Sequence, residues 1–139
     1  MSTAAEIDRS AVAEVCRDLG IELLVLYGSH AAGRATPESD VDLGFLRAGE
    51  RLSLEERQNL ATRLQPLLPP GALDLVDLAR VPGLLKHLAA ERGRLLFEGR
   101  PGLFEAFRVR AWNQYQDERL SIRRHDREGI RIALARITA

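Results

Sequence analysis

The chain has 139 residues, 45% apolar and 29% charged, which fits one soluble domain able to bury about 70% of its unfolded surface without disulfides. Formal net charge is +0 at pH 7 and Cys16 is the single cysteine, so nothing global draws the chain to nucleic acid, and neither an internal disulfide nor a cysteine-rich zinc site is expected. The N-terminus lacks an apolar signal core and no apolar run approaches the ~20 residues that span a bilayer, which points to the cytoplasm rather than a membrane.

In chain order, residues 4–18 predict a helix, because Ala11, Val12, Val15, Cys16 and Leu19 recur at helical spacing and Gly20 stands where a C-terminal cap belongs. Residues 21–27 (IELLVLY) form an apolar run that breaks at Gly28-Ser29, the pattern of a strand entering a tight turn, with a short helix expected over Ser29–Ala32. TPES (36–39) reads as a turn, since Pro37 presets its backbone angle. VDLGFL (41–46) is the second predicted strand. Ser53-Leu54-Glu55-Glu56 is a capping box that opens a helix. Its buried stripe would be Leu60, Leu64 and Leu67 or Leu68, and Pro69-Pro70-Gly71 would end it.

LDLVDL (73–78) is the third predicted strand. Pro82 to about Arg92 predicts a short helix with Leu84, Leu85 and Leu88 inward, stopped by Gly93. RLLFE (94–98) is the fourth strand. After Gly99-Arg100-Pro101 the chain reads as mostly helical, with Leu103, Phe107, Ala111, Tyr115, Ile122, Ile130 and Ile137 as its apolar positions. Gly129 weakens that helix by up to ~1 kcal/mol. The alternation predicts one α/β domain with a helical tail. The tail, residues 100–139, holds nine arginines against five acids, so it carries +4 and residues 1–99 carry −4.

Asp40 and Asp42 lie two apart entering the second strand, so they share a face, while Val41 and Leu43 take the other. Adjacent carboxylates repel unless a positive charge sits between them. A hard cation such as Mg²⁺ suits them, because it takes one or two carboxylates plus phosphate oxygens. Gly28-Ser29, at a strand-to-helix turn, lets backbone approach a phosphate and offers free N–H groups to it. A phosphate cradle beside a carboxylate pair is a site for nucleoside triphosphate chemistry. The structural alternative is that Asp40 caps a strand or pairs with Arg34.

Other residues carry weaker signals. His30 lies inside the phosphate turn, where it either touches nucleotide or sits at the surface. His87 and His125 show no ligand spacing. Cys16 reads as a small core residue. Trp112 and Tyr115 could stack a base, anchor a partner or pack in the core. Leu26 and Tyr27 point opposite ways, so one faces the core and the other the site.

Gly28-Ser29, ten residues, then Asp40-Val41-Asp42 is a GSx10DxD pattern. The segment GSHAAGRATPESDVDL resembles the minimal nucleotidyltransferases of the polymerase-β-like class, with Gly33 and Ser39 also matching. The resemblance covers the strand order through residue 98. The helical tail is similar to that of the MntA-type antitoxins of HEPN/MNT (type VII) toxin–antitoxin systems. The resemblance implies an α/β (α+β) fold with a mixed sheet of about four strands, residues 1–99 forming the catalytic core and 100–139 a helical segment.

The activity it implies is Mg²⁺-dependent transfer of AMP from ATP to a tyrosine hydroxyl of a cognate HEPN (HepT) RNase toxin, which neutralises the toxin. Asp40 and Asp42 would hold two Mg²⁺ ions, and Gly28 and Ser29 the β and γ phosphates. Arg34 would add a phosphate contact. The family uses a third carboxylate, and LDLVDL offers Asp74 and Asp77, which point to opposite faces of a regular strand. Asp74, between Leu73 and Leu75, would be a buried carboxylate needing a charge partner, and is the preferred choice. Asp77, near the strand end, could cap the next segment. The implied assembly is a hetero-oligomer with the HEPN toxin, without direct nucleic-acid binding. Two other readings are an antitoxin that neutralises by binding alone, and a stand-alone transferase for a small-molecule hydroxyl such as an antibiotic.

Overall fold

The structure is a computed structural model that describes residues 7–36 and 38–125. Expectations for residues 4–6, Pro37, Gly129, Ile130 and Ile137 lie outside the described residues. The elements are α1 (Arg9–Asp18), β1 (Ile21–Tyr27), α2 (Ser29–Ala32), β2 (Val41–Arg47), α3 (Leu54–Leu64), β3 (Leu73–Asp77), α4 (Gly83–Arg92), β4 (Arg94–Glu98) and α5 (Leu103–His125). The sheet order is β3-β2-β1-β4, with β1 antiparallel to β2 and β4, and β2 parallel to β3. This is the mixed four-stranded sheet expected.

Alternation along the strands separates two cores. Leu24, Leu26, Val41, Leu43 and Phe45 pack against Val12, Val15 and Cys16 of α1 and Leu60 and Leu64 of α3. Leu23 and Val25 face the other way, against Ala89 and Ala90 of α4 and Leu103, Phe107 and Ala111 of α5. The sheet is thus a layer between two helix pairs. Cys16 is fully buried, and burial pushes its thiol up to about 12, so it packs as a small apolar side chain and does not ionise.

The helix boundaries follow local chemistry. α1 begins at Arg9, so Ile7 and Asp8 lie outside the helix expected there, because the Asp8 carboxylate accepts from the Ala11 N–H and caps the first turn. Gly20 follows α1 at φ 70°. The capping box at Ser53 and Glu56 is formed, and Glu56 also takes both guanidinium nitrogens of Arg47 at 3.1 and 2.9 Å, tying α3 to β2. α3 ends at Leu64 and tightens into a 3-10 turn, Gln65–Leu67, carrying Pro66. Leu68 is buried and Leu67 half-buried.

α4 departs from its expected pattern. Leu84, Leu85 and Leu88 are only half-buried, and the buried positions are Gly83, Ala89 and Ala90. The cause is close approach to α5. A Cβ on Gly83 would lie 2.8 Å from the Tyr115 backbone nitrogen, and the Gly83 N–H donates to Glu118 at 2.7 Å. Gly83→Ala is therefore expected to push α4 off α5 and to cost about 1–3 kcal/mol, read as a lower Tm.

Candidate active site

The far end of β1 and the starts of β2 and β3 meet at one edge of the sheet. Tyr27 pairs with Asp42 across the antiparallel β1–β2 ladder, and Asp42 with Asp74 across the parallel β2–β3 ladder. The three residues therefore form one row over three strands. Leu26, Val41 and Leu43 are buried on the α1/α3 side, so strand alternation turns Tyr27 and Asp42 to the opposite side. Tyr27 is the member of the Leu26–Tyr27 pair that faces the site; it packs on the α4/α5 core.

Gly28 binds this row to the loop. Its backbone sits at φ 74°, ψ −153°, a region essentially reserved for glycine. A Cβ there would run into the Asp42 carboxylate oxygen. The turn thus lies directly on Asp42. The Ala32 N–H donates to the Gly28 carbonyl at 3.1 Å, which leaves the N–H groups of Ser29, His30 and Ala31 without acceptors inside the helix. Gly33 ends α2 in the left-handed region, and the Arg34 N–H returns to the Ser29 carbonyl at 2.9 Å. The turn expected at 36–39 is held by the Thr36 N–H on Ser39 Oγ at 2.8 Å and by the Ser39 N–H on the Thr36 carbonyl at 3.0 Å.

The electrostatics are those of crowded acids. Burial raises the Asp42 carboxyl above its ordinary range, and Asp74 and then Asp40 raise it further, while His30 pulls it back down. Tyr27 is pushed up by burial first, then by Asp42 and Asp74. Among the described residues no ion pair engages Asp40, Asp42 or Asp74. A cation from outside the chain would relieve this crowding.

The donor set fits Mg²⁺: hard carboxylate oxygens, with a glycine at the position where any side chain would collide with one of them. No three acidic, imidazole or thiolate side chains among the described residues already form a closed cage. An open arrangement suits an ion that completes its shell with substrate phosphates and water.

Asp40 lies just before β2 and is exposed, and Asp42 is half-buried. Asp74 is exposed, contrary to the expected burial, because β3 is an edge strand and Asp74 stands near its start. Asp77 is engaged elsewhere: its carboxylate caps the Ala79 N–H at 3.0 Å and pairs with Arg80 at 3.2 Å. Arg34 is exposed beside the loop. His30 Nε2 is covered and has no hydrogen-bond partner among the described residues. Asp42 and Asp74 were both expected at the site, but the register that lines them up with Tyr27, and the seat of Gly28 on Asp42, follow from strand pairing that the sequence alone does not show.

Residues 11–101 match the family model for polymerase beta, nucleotidyltransferase. The chain is 28% identical to the protein adenylyltransferase MntA of Aphanizomenon flos-aquae (strain 2012/KM1/D3), covering 78% of this chain and 77% of the relative. A crystal structure of a toxin–antitoxin with AMP-PNP is 26% identical, with a TM-score of 0.69 over 84% of this chain and 93% of the other. The complex of tri-AMPylated Shewanella oneidensis HEPN toxin with MNT antitoxin shares the fold, at 24% identity and a TM-score of 0.64 over 85% of this chain and 92% of the other. With the family model spanning the whole row of carboxylates and the loop above it, the chain belongs to the polymerase-β nucleotidyltransferase family.

Proposed function

We propose that this chain is the antitoxin of a HEPN/MNT pair, a protein adenylyltransferase that moves AMP from ATP to a tyrosine hydroxyl of its HEPN toxin. The observation that carries the reading is the row of acids that finds no cationic partner among the described residues, lying under a glycine turn whose N–H groups, among the same residues, are not taken by backbone acceptors. The likeness to MntA and to a toxin–antitoxin structure with AMP-PNP supports the choice of AMP and of a protein acceptor. The chain acts in the cytoplasm; no helix among the described residues is long and apolar enough to cross a membrane. Residues 1–139 work as one unit, with 1–99 as catalytic core and 100–139 as a helical segment.

Asp40, Asp42 and Asp74 would hold Mg²⁺, two ions in this reading. When bound, the metal neutralises phosphate charge and favours in-line attack. Backbone N–H groups of the Gly28–Ser29 turn, with the Ser29 hydroxyl, hold the β and γ phosphates, and Arg34 adds a charge at the loop's exposed side. The acceptor tyrosine oxygen bonds to the α-phosphorus as its bond to the bridging oxygen breaks. Pyrophosphate leaves. Asp74, exposed on the edge strand, would take the phenolic proton.

The test is labelling with ATP that carries its label on either the α or the γ phosphorus. Label from the α position should appear on the HEPN protein and label from γ should not. Transfer of the γ label, or no label on the protein, would refute nucleotidyl transfer to protein.

A further inference from the structure

Of the arginines between residues 7 and 120, five are half-buried: Arg47, Arg57, Arg63, Arg94 and Arg108. Taking a guanidinium even partly out of water costs free energy unless its N–H groups are paired. Four of the five are paired. Arg47 binds Glu56, Arg63 binds Asp18, and Arg108 binds Glu91 and Glu105. Arg57 donates to the Leu75 carbonyl at 2.7 Å and lies 5.6 Å from the centre of the Phe45 ring. The Arg94 guanidinium has no hydrogen bond, ion pair or aromatic partner among the described residues.

The fold puts Arg94 at the phosphate end of the sheet. It opens β4 and stands opposite Leu26 of β1, two residues before Gly28. Facing residues of an antiparallel pair project to the same side. Leu26 lies in the α1/α3 core, so Arg94 projects to that side, opposite to Asp42. α2 lies on the Arg94 side too, because Ala31 packs against the same core. Gly28, seated on Asp42, thus joins the carboxylate side of the sheet end to the side that carries α2 and Arg94. The start of α1 reaches this corner as well: the Arg9 guanidinium donates to the Leu95 carbonyl, next to Arg94. Asp8, beside Arg9, is engaged in capping α1, and the loop from Gly28 to Thr36 contains no acid.

We infer that Arg94 is a further nucleotide-binding residue, whose guanidinium takes the β and γ phosphates, the part of ATP that leaves as pyrophosphate. The inference rests on the nucleotidyltransferase reading above. A nucleotide whose α-phosphate lies over the carboxylates and whose tail crosses the Gly28–Ser29 turn runs toward this corner. One strand spacing, about 4.8 Å, separates Arg94 from β1, a distance an arginine side chain spans. Its planar fork donates two parallel N–H bonds to a phosphate, and the bound anion supplies the partner that the chain's described residues do not.

The experiment measures the affinity of wild type, Arg94→Gln and Arg94→Lys for AMP-PNP and for AMP, both with Mg²⁺, beside the Tm of each ligand-free protein and AMP transfer to the cognate HEPN protein. AMP lacks the two outer phosphates and serves as the control ligand. Arg94→Gln should bind AMP-PNP about 10-fold or more weakly and AMP as the wild type does. Arg94→Lys keeps the charge without the fork and should recover part of the loss. In transfer, KM for ATP should rise more than kcat falls. That pattern supports the role of Arg94 even where the wild type labels no HEPN protein, a result that would sink the toxin-modifying reading alone. Unchanged AMP-PNP affinity in Arg94→Gln overturns the inference, whatever the transfer activity, and a simultaneous loss of HEPN binding would then assign the arginine to the partner interface. Equal weakening of AMP and AMP-PNP, with a lower Tm that Arg94→Lys restores, assigns it a structural role and overturns the inference too. A wild-type chain that binds no AMP-PNP overturns both this inference and the nucleotidyltransferase reading.

Discussion

Asp40→Asn/Asp42→Asn is expected to be folded, more heat-stable than the wild type and inactive in nucleotidyl transfer. The loss follows from the role proposed for the two carboxylates. Metal-assisted charge stabilisation is worth several kcal/mol, and each ~1.4 kcal/mol is tenfold in rate, so transfer should fall at least ~10³-fold. The gain in stability follows from the crowding. The folded state holds the Asp42 carboxyl above its usual 3.8, mainly through burial and then through Asp74 and Asp40.

Between pH 3.8 and that raised value the folded state binds more protons than the unfolded one, so stability falls as pH rises across this window. At neutral pH the whole penalty is present in the wild type and absent from the variant. The Tm advantage of the variant should therefore be clear at pH 7 and small near pH 4. Mg²⁺ should raise the wild-type Tm at pH 7 and leave the variant's unchanged. A variant less stable than the wild type at pH 7 would mean that the acids are held by partners within the chain, and the site account would be wrong.

Gly28→Ala is the second large effect. At φ 74°, ψ −153° an alanine is strained by about 1–3 kcal/mol, which lowers Tm by roughly 3–10 °C. The new methyl also meets the Asp42 carboxylate, so the acid must move. Misplacement of a catalytic group by ~1 Å costs about 10²-fold, and transfer should fall at least that far. Gly33→Ala is the control. Gly33 also has a positive φ, 73°, but nothing among the described residues lies within 4 Å of its added methyl. It should lose stability, about 1 kcal/mol, and keep most of its turnover. Equal turnover losses in the two variants would show that backbone strain, and not the seat of Gly28 on Asp42, governs the rate.

The strands were readable because each is a short apolar run closed by punctuation: Gly28-Ser29 after β1, Gly93 before β4, Gly99 after it. The carboxylate pair on β2 was readable because period two is a local rule. What was not readable depends on pairing between distant segments. Asp74 lies beside Asp42 only because β2 and β3 run parallel in that register, and it is exposed only because β3 is at the sheet edge. Neither fact is written in LDLVDL. Likewise, α4 buries Gly83 and its alanines in preference to its leucines because α5, which starts about twenty residues later in the chain, packs close against it. Residues 7 and 8, expected in α1, lie outside it for a local reason: the Asp8 carboxylate caps the first turn and fixes the helix start at Arg9. Trp112 and Tyr115 stood out in the sequence, but that Trp112 is exposed while Tyr115 is half-buried against His87 follows from how α4 and α5 meet.

The most direct measurement is intact mass spectrometry of the cognate HEPN protein after incubation with this chain, ATP and Mg²⁺, beside the Asp40→Asn/Asp42→Asn variant. The account predicts AMP-sized increments on the HEPN protein, located on tyrosine, that vanish with the variant. An unmodified HEPN protein that still forms a tight complex with the wild-type chain would contradict it and leave an antitoxin that works by binding alone.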